Sequence, residues 1–216
     1  MAKTAKTARI YTFRPMKRLT FWTLLLAGLQ ILGLVAWGAG MALWMLAPPA
    51  LRFLGSGLFV VGYVFGVVMI VISGIVSLVW IYGATRNAHA LRPGGVQSSP
   101  GWAVAWFFVP IAFLFKPAKN MSEVWVASRG MVNGRYPAPS PWVRVWWAAE
   151  IVSGALFRLG DVTTGTDSDI LPSTPGNWLM VAATLVSAVA TFYFCRLVRD
   201  ISRNQITSRA EVADIF

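Results

Sequence analysis

The chain has 216 residues, 56% of them hydrophobic and only 12% charged, with 19 Lys and Arg against 8 Asp and Glu for a formal net charge of +11. Several apolar runs reach bilayer-spanning length, which excludes a soluble globular protein and places the chain in the polytopic membrane class. The basic residues sit beside apolar runs rather than on a polar face, which assigns them to topology and anionic headgroups and argues against nucleic acid as a partner.

Residues 1–18 carry Lys3, Lys6, Arg9, Arg14, Lys17 and Arg18 with no acid. Such a tail stays on the cytoplasmic side during insertion. The apolar run from Leu19 to Ala47 is too long for a signal-peptide core and lacks a convincing cleavage site, so it is expected to remain as a first span over about 20–46. Trp22 and Trp44 anchor its ends, and Gln30 is its one strongly polar side chain. Pro48-Pro49 stops the helix and Arg52 restarts the chain, which predicts an antiparallel hairpin with a second span over about 53–84. There Gly55, Gly62, Gly66, Ser73, Ser77 and Ala84 recur at intervals of 7, 4, 7, 4 and 7, a single small-residue face. That face suits close packing in lipid, either against another helix of this chain or in a homodimer.

After the belt Trp80-Ile81-Tyr82 and the polar run Arg86 to Arg92 comes an aromatic block carrying Trp102, Trp106 and Phe107, bracketed by Pro100 and Pro117 and broken at Pro110. Its 15 residues 101–115 fall short of the ~20 that a span needs. It is expected to lie in the interface or to dip in and return. From Ala118 to Gly130, Met121, Val124, Trp125 and Ser128 recur at helical spacing opposite Lys119, Glu123 and Arg129, which predicts an amphipathic helix on the membrane. Asn133-Gly134 and three prolines then form a loop.

A third span is predicted over about 142–160, with Glu150 inside it. An ionisable residue in a span is a functional candidate by default. The plainer reading is a protonated Glu150 hydrogen-bonded to Gln30, Ser153, Tyr63 or a backbone carbonyl. The loop 161–177 holds three aspartates and no Lys or Arg, and a fourth span follows over about 178–198. Its helix is expected to continue through Arg196, Arg199 and Arg203 towards Gln205.

Four spans with both ends inside put six basic residues of the N-terminal tail, seven from Arg86 to Arg144 and four from Arg196 to Arg209 on the inner side, leaving Arg52 and Arg158 outside. A fifth crossing by the aromatic block would break that asymmetry. The chain therefore divides into a basic tail (1–18), an all-α four-span membrane domain (19–199, with the interfacial segment at 100–129) and a cytoplasmic C-terminal tail (200–216). A lone Cys195 forbids an internal disulfide. A lone His89 forbids a His-rich metal site, and no spaced metal-ligand, nucleophile or phosphate-loop motif is present. No catalytic residue, metal or cofactor is assigned.

Trp80-x-Tyr82 with Arg86-Asn87, Pro100-x-Trp102-Ala103-x-x-Trp106-Phe107-x-x-Pro110, Lys116-Pro117, Glu123-x-Trp125-x-x-Ser128, Trp146-Trp147 and the Gln205-Ile206 region together resemble the bacterial membrane proteins grouped as domain of unknown function 4328. The resemblance runs from about Leu51 to Ile206 and implies several membrane helices with no established activity. It departs at Phe113, where such proteins usually carry Asn. Two functions follow as expectations. The first is a non-enzymatic inner-membrane accessory or scaffold subunit that binds lipid, a protein partner or a second copy. The second is a small carrier, channel or ligand-binding protein with a polar site around Glu150 and Gln30. An enzyme is not expected, because no convergent nucleophile, base or metal set is present.

Overall fold

The computed structural model describes residues 11–131, 135–164 and 175–213. The first part of the basic tail, Asn133-Gly134, the middle of the acidic loop with Asp167 and Asp169, and the last three residues lie outside it.

Helix α1 (Lys17–Leu46) ends where Ala47 turns extended, with ψ 148°, ahead of Pro48-Pro49. Arg52 Nε donates to the Ala47 carbonyl (3.2 Å) and satisfies one orphan acceptor of that helix end. A single 3-10 turn (Pro49–Leu51) leads into α2 (Arg52–Leu91), which runs back along α1. The two backbones touch. A Cβ placed on Gly33 would stand 2.9 Å from Gly66 Cα, one on Gly55 would stand 2.7 Å from Trp44 Cα, and one on Gly62 would strike the backbone of Trp37. Further along the seam, Ser73 donates to Gln30 Oε1. The face of Gly55, Gly62, Gly66 and Ser73 is thus taken up within the chain by α1, and the half-buried Ser77 lies one turn beyond it.

Helix α2 outlasts the predicted second span by seven residues, ending at Leu91 rather than 84. Hydropathy falls at the Trp80 belt, but nothing in Ala84 to Leu91 breaks a helix. The first stop is Pro93, followed by Gly94 at φ +78°. The aromatic block folds as α3 (Pro100–Ala105), a 3-10 turn (Trp106–Phe108) and α4 (Pro110–Phe113), with Val109 extended between them. Helix α5 (Lys116–Arg129) carries Pro117 in its first turn and ends at Gly130, whose φ of +67° only glycine adopts freely. Helices α6 (Pro141–Thr164) and α7 (Pro175–Ala213) form a second hairpin.

Helix α1 packs on α2 and α7, and α7 packs on α6, so the long helices stand in the row α2, α1, α7, α6, with α5 laid across one end. Three segments are long and apolar enough to cross a membrane: Lys17–Leu46, Pro49–Leu91 and Pro175–Ala210. Helix α6 has 24 residues, long enough to cross, but carries Arg144, Glu150, Arg158 and Asp161. At 1.5 Å per residue α2 and α7 are each about 60 Å long, twice a hydrocarbon core of about 30 Å.

The surplus length builds a separate region. Midway along α2, Val60, Val61, Val64 and Val71 all face outward, more than half exposed. At the α5 end the apolar residues turn inward: Trp80, Ala88, Ala103, Val143, Leu197, Val198 and Ile201 are completely buried in one cluster with Met121, Val124 and Trp146. One end of the molecule is therefore cored like a water-soluble domain, and the rest presents its apolar side chains to the surroundings.

Candidate functional site

The cored end has a polar centre. Asn87 of α2 and Gln205 of α7, 1% and 2% exposed, lie 118 residues apart in sequence, and Asn87 Nδ2 donates to Gln205 Oε1 (3.3 Å). Gln205 Nε2 donates to the Ala84 carbonyl (2.9 Å) and to Ser128 Oγ (3.1 Å), tying α7 to both α2 and α5. Ser208 Oγ completes the contact by donating to the Ser128 carbonyl (2.9 Å). Nearby, buried Asn120 donates to Thr85 Oγ1 (3.2 Å). A buried amide left unpaired is costly, so this network fixes the relative register of three helices.

Residues 11–16, outside any helix, cross over the same end as a strap. Arg14 N donates to Asn87 Oδ1 (3.0 Å), and Asn87 Nδ2 donates to the Arg14 carbonyl (2.8 Å), a two-way pairing of a side-chain amide with a backbone unit. Tyr11 stacks on His89 with ring centroids 4.9 Å apart, and the Arg209 guanidinium lies over Phe13 at 4.9 Å. Beyond the strap, Trp80 Nε1 donates to Thr20 Oγ1 (3.2 Å), and the hydroxyls of Thr20 and Ser202 are hydrogen-bonded at 3.0 Å.

Between the strap, the start of α1 and α7 lies a cavity of about 330 Å³. Its polar lining consists of Lys17, Arg199 and Arg203, the hydroxyls of Thr20 and Ser202, and the node amides Asn87 and Gln205. Phe13, Met16, Leu24 and Ile206 supply its apolar walls. No carboxylate among the described residues lines it. Among the described residues the one ion pair is Arg158–Asp161 (3.8 Å), at the far end of α6. The amide donors of Asn87 and Gln205 are spent on the node, and the three cations that face the cavity suit it to an anion.

The aromatic segment forms the second feature of this end. It leaves and returns to one place: Lys119 Nζ donates to Gln97 Oε1 (2.9 Å), and Gln97 N donates to Glu123 Oε2 (2.8 Å). Trp106 Nε1 donates to Ser98 Oγ (3.2 Å) and its ring lies 4.6 Å from that of Trp102. Lys116 Nζ sits 5.2 Å above Trp106. The inner side of the segment docks on α6, where Trp147 Nε1 donates to the Leu114 carbonyl (2.7 Å) and Phe107 and Phe113 meet its ring edge-on. The outer side is bare. Phe108 is 72% and Ile111 77% exposed, and Leu114 and Phe115 stand beside them. Trp125 and Pro117 are buried behind it, and Pro110 occupies the turn.

Gln30 and Glu150 are not brought together by any hydrogen bond among the described residues. Gln30 accepts from Ser73, whereas Glu150 lies on α6, one turn after Trp146. Ser153 donates to the Glu150 backbone carbonyl (3.0 Å). His89 Nε2 is hydrogen-bonded to the Ser98 carbonyl (2.9 Å), and no group of three His, Cys, Asp or Glu side chains suited to a metal occurs among the described residues. Sequence reasoning did not single out Lys17, Thr20, Arg199, Ser202 or Arg203. The available signal was Arg199 and Arg203, one turn apart on α7; their convergence with the start of α1 is tertiary.

These features define an all-helical protein in which three long apolar helices, compatible with a membrane, carry a compact helical end. The chain belongs to the family described as Domain of unknown function (DUF4328), which matches residues 50–203. No curated protein and no solved structure matches it. Within the matched region Asn87, Ser128 and Trp146-Trp147 all fall in the cored end or its polar centre. Phe113, where the resemblance breaks, packs with its ring centroid 5.0 Å from that of Trp147.

Proposed function

We propose that this chain is a four-span protein of the bacterial cytoplasmic membrane that works by binding lipid or a protein partner, as an accessory or scaffold subunit, and not by catalysis. In this reading α6 also crosses, as the third of four spans in chain order, both chain ends face the cytoplasm, and the α3 to α5 layer lies at the inner membrane surface. The observation that carries it is the two-sided aromatic segment, anchored inward on Trp147 and presenting Phe108, Ile111, Leu114 and Phe115 outward beside Lys116. Apolar side chains bordered by a cation match the boundary between acyl chains and anionic headgroups. The excess of basic residues in the same segments agrees with a cytoplasmic placement.

Native mass spectrometry of the full chain, extracted into nanodiscs or mild detergent, tests this. A stoichiometric protein partner or retained lipid is expected. A bare monomer that holds neither would overturn the reading.

A further inference from the structure

The cavity beside the polar node has a composition that the aromatic segment does not explain. Lys17, Arg199 and Arg203 surround about 330 Å³, near the lower end of the ~300–1,000 Å³ typical of small-ligand sites. All three are solvent-exposed, and none has an ion-pair partner among the described residues. The α1 N-terminus opens at Lys17 with no side-chain cap, which adds the positive end of a 30-residue helix to the same place. The floor is already set, because Asn87 and Gln205 are buried and held by their mutual hydrogen bond and by the strap. Thr20 and Ser202 add hydroxyls between the cations.

We propose that this cavity is a binding site for a phosphate ester, its phosphate held by Lys17, Arg199 and Arg203 and its polar ester portion by the hydroxyls of Thr20 and Ser202. Guanidinium groups donate in a planar fork suited to phosphate oxygens, and two of them one helical turn apart can grip one anion from the same side. The ligand class deepens the binding role proposed above and rests on it. Two sources offer this chemistry: the headgroup of an anionic phospholipid, or a soluble glycerol phosphate. The apolar wall of Met16, Leu24 and Ile206 and the outward Phe21 on the adjoining turn of α1 extend the site along a surface that an acyl chain would follow.

The experiment uses the full chain in phosphatidylcholine nanodiscs. Phosphatidylglycerol is added and read by native mass spectrometry, and glycerol 3-phosphate is added separately and read by thermal unfolding. The wild type is compared with R199Q/R203Q, with K17Q, an exposed single change that keeps the proposal testable should the double variant not fold, and with R196Q, whose guanidinium lies over Trp142 outside the cavity. Preference for phosphatidylglycerol is expected to fall about tenfold or more in R199Q/R203Q, to fall in K17Q, and to persist in R196Q. Stabilisation of the wild type by glycerol 3-phosphate, absent in R199Q/R203Q, would uphold the site with a soluble ligand. Equal phosphatidylglycerol retention by all variants, with no response to glycerol 3-phosphate, would overturn the phosphate site while leaving lipid binding intact. Absence of both lipid and partner from the wild type would overturn the broader reading as well.

Discussion

At the scale of the residue, Gln205 joins three helices through one amide. It accepts from Asn87 and donates to Ser128 and the Ala84 carbonyl, all out of water. Replacing it with Leu removes those bonds and leaves the partners buried, so Gln205→Leu is expected to cost about 1–3 kcal/mol and to lower the thermal midpoint measured in detergent. Asn87→Leu is expected to do the same, and the pair to be less than additive because each loses the same contact. An additive double variant would show that the two amides act separately. Asn87 and Gln205 were visible in the sequence as parts of a motif, but their meeting was not, since 118 residues lie between them and neither has a periodicity that points to the other. Glu150 shows the opposite case. Its chemistry made it conspicuous, yet no hydrogen bond among the described residues joins its carboxylate to Gln30, which pairs with Ser73 instead.

At the scale of the element, the α1–α2 hairpin depends on the absence of side chains. A larger group at Gly62 would have to displace the Trp37 backbone, while Gly57 on the same helix has nothing within 4 Å of its Cβ position. Gly62→Leu is expected to destabilise the protein by about 1–3 kcal/mol or more, the usual cost of overpacking, with a fall in folded yield seen by fluorescence-detected size exclusion. Gly57→Leu is expected to behave as wild type. Equal behaviour of the two would mean that the seam is not close-packed. The hairpin was largely legible: its small-residue spacing and the Pro48-Pro49 stop follow from local rules. The end of α2 was not, because hydropathy reports where the solvent changes and not where hydrogen bonding stops. Residues 84–91 keep their helix after the apolar run ends, supported by packing on α5 and α7.

At the scale of the whole molecule, Thr20 near the start of α1 touches Ser202 on the late part of α7, so the two ends of the chain's long-helix path lie on one side. In the proposed orientation that side is cytoplasmic. A fluorescent-protein fusion at the C-terminus is expected to fluoresce, and an alkaline phosphatase fusion there to be inactive, whereas phosphatase fused within the loop after α6 should be active. The reverse pattern would invert the topology. The proposed orientation rests on the basic asymmetry of the sequence alone; the cored end was hidden from it, since its residues come from α2, α3, α5, α6 and α7 and no single stretch announces them.

The strap adds a constraint of order in time. Within the strap Arg14 pairs with Asn87, but the far wall of the cavity is formed by Arg199, Ser202 and Arg203 of α7, made after every other element that borders it. Segments made first thus acquire their full set of neighbours only after the last helix has entered the bundle. A chain arrested before α7 would carry one wall of that cleft, with Lys17 but neither arginine, and the arrival of α7 would bring the three cations together.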